Sequence, residues 1–423
     1  MAGDQIDAVQ AIESKARAMA LRAIDDGWAG PPFDPLALAK LCGLKVDARG
    51  DIPDARLVPD DENLRIEYNP TRPRGRLRFS IAHEIAHTLF PDCKEEIRNR
   101  LKERRDQGDT WQLEILCNIA AAELLMPLGS FSQFASEELG IDSIMELRKK
   151  YDVSVEACLI RLVKLAQKPG AAFCASFHSD GYYKFDYVIP AAGWKSPIKT
   201  GDHVPEKSAI TEANAIGFTA KRDEKWHATS IRVECVGLAP YPGMTVPRVV
   251  GFMLPRTPGK FSPPALEEVR GDALAPRGGG QKVIAHVVPN TNALWGGRGF
   301  AAAVRKRFPG SYAVFREKTA DVNRLPALGE VVAVAIDGET TIVHMVAQRG
   351  FGPSMTTRLS YAALSECLSR LGEIAKSTHA TVHLPRVGTG HGGADWNVVR
   401  ELLTEELVGK GIRTMVYTLP DKG

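Results

Sequence analysis

Arg76-Leu-Arg-Phe-Ser-Ile-Ala-His83-Glu84-Ile-Ala-His87-Thr-Leu-Phe90 sets a His-Glu-x-x-His pattern inside an apolar run that reads as helix. At 3.6 residues per turn, positions four apart share a face, so His83 and His87 can grip one metal ion together. Glu84, one step round, can sit beside the open position that a catalytic zinc keeps and act on its water. Two histidines on a solvated helix surface would give the same pattern, so the neighbouring sequence has to decide.

A catalytic zinc needs a third protein ligand. The metzincin continuation would place a histidine at 93, where the chain has Cys93. The helical segment Trp111–Pro127 offers a better candidate. Leu113, Leu116, Cys117, Ala120, Ala121, Leu124 and Leu125 make its apolar stripe. Glu114 borders that stripe in register with Cys117, Ala121 and Leu125, while Glu123 falls half a turn away, on the expected polar side. A carboxylate at a core edge needs a partner, and a metal supplies one. An ordinary cap or ion pair near a helix start is the bland alternative.

Arg-x-Arg-Phe-x-Ile-Ala-His-Glu-x-x-His, followed by Glu114 and Ala-Ala-Glu-Leu-Leu-Met-Pro, resembles the ImmA/IrrE family of bacterial zinc metallopeptidases. Asn69 in Ile66-Glu-Tyr-Asn-Pro70 and the upstream Pro32-Phe-Asp-Pro35 fit the same pattern. The likeness runs over residues 10–165 and is tightest over 76–127. It implies a zincin-like fold with His83, His87 and Glu114 as ligands of Zn2+ and Glu84 as the general base. It also implies a protein substrate, since members of the family cut helix-turn-helix repressors.

Composition fits a globular protein of 423 residues, long enough for two to four domains. A net charge of +3 is too small to argue for nucleic acid or a membrane surface as partner. No apolar run approaches the length of a bilayer span. The acidic N-terminus lacks a signal-peptide pattern, and seven scattered cysteines without a Cys-x-x-Cys pair suit reduced thiols, so a cytoplasmic location is expected.

The reading of the whole chain is a multidomain α+β protein. Residues 1–130 form the peptidase domain, with amphipathic helices over 6–26 and 35–41 and short strands at Leu44–Asp47 and Asn63–Tyr68. A sheet edge beside the metal suits an extended peptide substrate. Residues 131–170 form a helical pair, 137–150 and 154–167, spaced like a helix-turn-helix. The weak basic character of its second helix favours a hairpin closing the core over a DNA reader. Residues 171–260 alternate strand-like runs with Gly and Pro and read as a β-rich module, with strands at 171–178, 182–189, 227–238 and 246–253. His203 and His227 lack metal-like spacing there. A Pro-rich linker over 255–264 marks the next boundary.

From 265 to 423 strands and helices alternate, which argues a three-layer α/β domain with a mixed sheet. Strands are expected at 266–270, 282–288, 329–336, 340–347, 380–384 and 412–418, and helices at 299–308, 358–375 and 396–409. Two glycine-rich loops, Trp295-Gly-Gly-Arg-Gly299 and Gly388-Thr-Gly-His-Gly-Gly393, each follow a strand and open a helix. Glycine lets backbone approach a phosphate, and a helix N-terminus aims N–H groups at it. Ordinary tight turns are the competing reading.

Val269-Arg-Gly-Asp272-Ala-Leu, the Gly-Gly-Arg-Gly-Phe-Ala-Ala-Ala-Val run and Leu384-Pro-Arg-Val-Gly-Thr-Gly-His-Gly-Gly-Ala-Asp395-Trp396 resemble a macrodomain. The nearest branch includes small glutamyl-ADP-ribose hydrolases and the DarT-antitoxin macrodomain. The resemblance implies that Asp272 recognises adenine. It implies that Gly296, Gly297, Arg298, Gly299 and Phe300, with Gly388, Thr389, Gly390, His391 and Gly392, hold the diphosphate of ADP-ribose. The hydrolases' catalytic Lys is missing from Met345-Val-Ala-Gln-Arg349, and Gly392 stands where some members carry an acid. Binding is therefore better supported than hydrolysis.

Together these features describe a zinc endopeptidase of the His-Glu-x-x-His type, controlled or targeted by ADP-ribose or another NAD-derived nucleotide. Its expected partner is a regulatory protein, a helix-turn-helix repressor or an ADP-ribosylated protein, in a bacterial stress or defence response. An ADP-ribosyl hydrolase and a non-catalytic ADP-ribose-binding regulator are the alternatives.

Overall fold

The computed structural model describes residues 8–60, 63–93, 110–130, 140–166, 168–227, 229–240, 244–256, 266–291, 299–319, 325–350, 354, 356–390 and 392–419. The chain divides into two compact units. One holds Met1–Ala20, Trp28–Pro127 and Phe131–Pro263; the other holds Leu21–Gly27, Leu128–Ser130 and Pro264–Gly423. The multidomain α+β class expected from the sequence holds.

The first unit begins with residues 8–20 of helix α1 (Ala8–Asp25), which buries Ile12, Ala16 and Ala20 along one face. Asp34 caps α2 (Pro35–Leu41), its carboxylate accepting from Leu36 N, with Pro35 at the start where its missing N–H costs nothing. A sheet of order β1–β3–β2 follows among the described residues: β1 (Lys45–Ala48) runs parallel to β3 (Asn63–Tyr68), and β2 (Ala55–Asp60) antiparallel to it. β2 is an edge strand that the sequence reading did not contain. Pro59 and its charged neighbours hide it, yet Pro is acceptable at an edge.

Helix α3 (Arg74–His87) turns Ile81, Ala82, Ile85 and Ala86 inward. Its buried Arg78 donates to Phe33 O at 2.6 Å and lies 3.4 Å from Asp152. Helix α4 (Thr110–Leu125) buries Cys117, Ala120, Ala121, Leu124 and Leu125, the expected stripe. Glu123 corrects its expected place on the polar side: it is 5% exposed, accepts from Arg161 Nη1 at 2.9 Å and lies 3.6 Å from Arg17 Nε. A buried carboxylate held by two guanidiniums replaces the solvated one the helical wheel suggested.

Arg161 also shows how the helical pair packs. Helices α5 (Ile141–Tyr151) and α6 (Val155–Leu165) meet at Asp152, in the left-handed region with φ 54°, and Ser154 Oγ accepts from Ala157 N at 3.1 Å. α6 buries Val155, Cys158, Leu159, Leu162 and Val163, and its one arginine points inward to Glu123. The second helix thus closes the core.

Among the described residues, five antiparallel strands follow, in the order β5–β4–β8–β7–β6. They are β4 (Ala171–Phe177), β5 (Tyr183–Pro190), β6 (Thr219–Trp226), β7 (Thr229–Leu238) and β8 (Arg248–Pro255), with a short helix α7 (Ala209–Glu212) before β6. The expected strand over 227–238 is β7, which begins at Thr229; His227, at φ 51°, lies in the turn that joins it to β6. β6 escaped notice because it alternates charged residues and has little apolar signature. Phe173, Phe185, Trp226, Ile231, Val233 and Met253 form the core here.

In the second unit, the described strands make a six-stranded sheet, β11–β12–β10–β13–β14–β9. The strands are β9 (Glu267–Arg270), β10 (Lys282–Pro289), β11 (Val331–Ala335), β12 (Thr340–Gln348), β13 (Thr381–Pro385) and β14 (Thr414–Thr418). All neighbours are parallel except β11 and β12, the Asp337-Gly338 hairpin. Helices α8 (Gly299–Arg307) and α9 (Pro309–Thr319) pack Val304 and Phe315 on the Ile284, Ile342, Val288 and Val346 side. Helices α10 (Tyr361–Thr378) and α11 (Trp396–Glu406) pack Leu364, Leu371, Val399 and Leu403 on the Val283, Ala285, Val343 and Val382 side. The result is the expected three-layer mixed-sheet α/β architecture. α9 was not expected, because Pro309 looks like a breaker but stands at the first helical position. Segments 21–27 and 128–130 belong to this unit: Leu21 and Leu128 lie in its larger core, and the Asp25 carboxylate accepts from Tyr361 N at 2.8 Å and Ser360 Oγ at 2.6 Å.

His286, His344 and His383 are buried in this unit. His344 bridges His286 Nε2 and Ser311 Oγ, each at 2.7 Å, and His383 bridges Tyr417 OH at 3.0 Å and Thr381 Oγ1 at 2.8 Å. Burial, joined for His383 by the charges of Lys282 and Arg413, pushes both His344 and His383 down to about 4. In the unfolded chain they take a proton near the ordinary histidine value, in the folded protein only near 4. Their stability contribution is therefore complete above the ordinary value and is lost as pH falls toward 4, by about 1.4 kcal/mol per pH unit for each ring. Hydrogen exchange of β10, β12 and β13 amides, corrected for intrinsic rates, should show protection falling between neutral pH and pH about 5. His383→Gln should flatten part of that slope, and an unchanged profile would show the rings to be open to water.

Candidate functional site

Helix α3 presents His83 and Glu84 half-buried and His87 buried, while α4 brings Glu114 across from them. His83 Nε2 lies 3.0 Å from one Glu114 oxygen and His87 Nε2 lies 3.8 Å from the other. The two imidazoles meet edge to face with centroids 5.0 Å apart. A tetrahedral zinc with bonds of about 2.1 Å sets its ligand atoms roughly 3.4 Å apart, so two imidazole nitrogens and a carboxylate at these separations fit the ion. Among the described residues, His83, Glu84 and His87 also form a group whose donor atoms lie within 4.8 Å of one another. Glu84 is engaged elsewhere, however: its Oε2 accepts from the backbone N–H of Leu57 on edge strand β2 at 2.9 Å. Both carboxylates, Glu114 and Glu84, thus stand beside the two rings.

His83 shows the balance of forces. Burial works to lower its pKa, but the hydrogen bond to Glu114 and the charges of Glu84 and Glu114 outweigh it, leaving the pKa raised. Two further side chains lie behind the rings, and neither was among the expected site residues. Asn118 Oδ1 is 2.9 Å from His83 Nδ1, and Cys117 Sγ is 3.4 Å from His87 Nδ1. The spacing Glu114-x-x-Cys117-Asn118, three and four residues on along one helix face, was the available clue. With Glu114 as a ligand, elemental analysis of Glu114→Ala should show zinc occupancy falling well below the parent's at equal chelator. Unchanged occupancy would take Glu114 out of the centre.

In the second unit, three expected ligand-binding positions lie beyond the C-terminal ends of parallel strands: Asp272 after β9, Gly299 and Phe300 at the start of α8 after β10, and the 388–392 loop after β13. β10 and β13 are parallel neighbours, so Gly299 and Gly388 both follow the same C-terminal end of the sheet, where open α/β sheets take ligands. Gly296, Gly297, Arg298 and His391 lie outside the described residues. Asp272 is exposed, with Oδ1 accepting from Leu274 N at 2.9 Å.

The second loop is held tightly. Gly392 O accepts from Arg358 N and Leu359 N at 2.8 and 3.1 Å, Ala394 N donates to Gly388 O at 3.0 Å, and Thr389 Oγ1 donates to Arg386 O at 2.9 Å. Gly388 has φ 76°, and a Cβ there would come within 2.6 Å of Leu359. A Cβ on Gly392 would come within 2.4 Å of Gly388 O, so no acidic side chain can stand at that position without remaking the loop. Gly390 has open space where a side chain would go. Asp395 caps α11 through Asn397 N at 2.8 Å, and the Arg386 guanidinium stacks 4.5 Å over Trp396.

Residues 48–163 match the family model for the IrrE N-terminal-like domain. The radiation response metalloprotease IrrE of Deinococcus radiodurans is 32% identical over 116 residues, 26% of this chain and 34% of that protein. A chromodomain-helicase-DNA-binding protein 1-like of Mus musculus is 30% identical over 166 residues, 37% of this chain and 18% of that protein. The chain thus spans about a fifth to a third of the length of these relatives. A macrodomain protein from Streptomyces coelicolor is 33% identical, with 37% of this chain matching 99% of that structure at a TM-score of 0.31. The first unit carries a metallopeptidase domain of the IrrE kind. Behind it in the chain stands an α/β unit of macrodomain type, by its glycine-rich sequences and its six-stranded sheet. No helix among the described residues is long and apolar enough to cross a membrane.

Proposed function

We propose that this chain is a cytoplasmic zinc-dependent endopeptidase whose cleavage of a regulatory protein is controlled by ADP-ribose or a related NAD-derived nucleotide held by the second unit. The observation that carries it is the convergence of His83 Nε2 and His87 Nε2 on Glu114 beside a Glu84 aimed by the β2 edge. In this reading His83, His87 and Glu114 are the zinc ligands and Glu84 is the general base. Zinc, when bound, supplies Lewis-acid polarisation of the scissile carbonyl and a lowered water pKa. Glu84 takes the proton from the attacking water and hands it to the leaving amine. Edge strand β2 gives an extended peptide a backbone to pair with.

The division into peptidase (1–130), helical extension (131–170), β-rich module (171–260) and macrodomain (265–423) is part of the proposal. So is an Asp272 that reads the base while the two loops hold the diphosphate. Holding is preferred to hydrolysis because Gly392 has no room for the acid that some hydrolases carry there. A role in a bacterial stress or defence response, with a helix-turn-helix repressor or an ADP-ribosylated protein as substrate, completes the reading.

The test begins with the proteins that gain new termini when the chain, but not its Glu84→Gln variant, is expressed. ADP-ribose is then titrated into cleavage of one such unmodified substrate. Control by free nucleotide predicts a rate change of about fivefold or more, the size of a typical coupling energy, abolished by Asp272→Ala. A flat rate with faster cutting of ADP-ribosylated substrate would replace control by recruitment.

A further inference from the structure

Helix α4 brings more than one ligand to the centre. Glu114, Cys117 and Asn118 stand at i, i+3 and i+4, and all three reach the histidines of α3: Glu114 on the Nε2 side, the other two on the Nδ1 side. We infer that Asn118 and Cys117 are positioning residues of the metal centre, holding the Nδ1–H of His83 and His87 and so committing each ring to offer Nε2. This rests on the zinc reading above.

The chemistry leaves little choice. A neutral imidazole carries one proton, and only the nitrogen without it can ligate a metal. In water the neutral ring prefers the proton on Nε2, the wrong tautomer for a centre built from Nε2 atoms. An acceptor at Nδ1 reverses that preference and fixes the ring plane. The Asn118 amide oxygen, 2.9 Å from His83 Nδ1, is such an acceptor and carries no proton of its own. Cys117 Sγ, 3.4 Å from His87 Nδ1, is a weaker one, but it is fully buried and cannot be replaced there by water. Asn118 is exposed at the same helix face, so His83 depends on a side chain that water could rival, and the amide secures the choice. One rigid helix therefore fixes a ligand and both tautomers at once.

The test uses the full chain and zinc itself, in competition with a chelator of known affinity. Asn118→Leu keeps the size of the side chain and removes the acceptor, and it should weaken zinc binding about 10- to 100-fold. Asn118→Asp can only accept and should bind at least as tightly as the parent. Cys117→Ala should weaken binding severalfold, and Cys117→Ser, which restores an acceptor, should recover most of it. In nitrogen-15 spectra of the zinc-loaded parent, Nδ1 of both rings should carry the proton. Thermal unfolding of the metal-free variants should match that of the parent, which separates positioning from folding. Equal affinity of Asn118→Leu and parent, equal weakening by Asn118→Leu and Asn118→Asp, or a metal on Nδ1 would each overturn the inference while leaving the zinc reading intact. A parent that binds no zinc would end the zinc reading and this inference with it.

Discussion

Glu84→Gln is expected to hold zinc at the parent's level and to lose at least ~10²-fold in cleavage rate. The two side chains have the same shape, and the glutamine carbonyl can still accept from Leu57 N, where the Glu84 oxygen sits at 2.9 Å. What the amide cannot do is take a proton from water. The pairing of results matters more than either alone. Elemental analysis of the purified variant separates the two carboxylates that stand near the histidines. If zinc leaves with Glu84 while Glu114→Ala keeps it, then the group formed by His83, Glu84 and His87 is the real ligand set, and the base must be sought elsewhere. If zinc stays and cleavage persists, Glu84 is not the base.

The grouping of His83, His87 and Glu114 was open to reading in the sequence because helical spacing is local. His83 and His87 need only their own helix to share a face, and Glu114 shows its place by bordering an apolar stripe. What stayed hidden depends on which element faces which. Nothing in Ala55–Asp60 announces that its Leu57 N–H meets Glu84, because that contact spans 27 residues and uses backbone alone. Glu123 looked solvated on a helical wheel, since a wheel assumes one buried face. In the fold α4 is covered from a second side, where Arg17 and Arg161 meet it. The same limit applied to the strands. β10 and β12, buried on both faces, read as continuous apolar runs. β6, with exposed and half-buried positions alternating along charged residues, gave no such run.

Helix α9 shows the converse error: a local rule applied too strictly. Proline breaks a helix interior but starts a helix well, and Pro309 stands where it costs nothing. The glycine loops show why composition alone could not rank their members. Gly388, Gly390 and Gly392 look equivalent in sequence. In the fold two of them are required by their neighbours and the third faces open space.

That difference decides the nucleotide experiment. Gly390→Leu should abolish ADP-ribose binding, as read by calorimetry on the full chain, while leaving the fold of the second unit intact. Among the described residues, a Cβ at Gly390 meets no atom within 4 Å, so a lost heat signal with the fold retained points to what the loop admits. The same change at Gly388 or Gly392 would be uninformative, because a Cβ there strikes Leu359 or Gly388 O and remakes the loop whether or not a ligand binds. Asp272 needs its own control, since its Oδ1 also holds the turn through Leu274 N. Asp272→Asn keeps an oxygen for that turn and removes the charge; Asp272→Ala removes both. If the carboxylate reads the base, both should weaken binding by about 1–3 kcal/mol, the worth of a hydrogen bond to a charged group. If only Asp272→Ala weakens it, the residue shapes the turn and adenine is recognised elsewhere. A parent that gives no heat with ADP-ribose, AMP or NAD would remove the nucleotide from the proposal and leave the peptidase to stand without it.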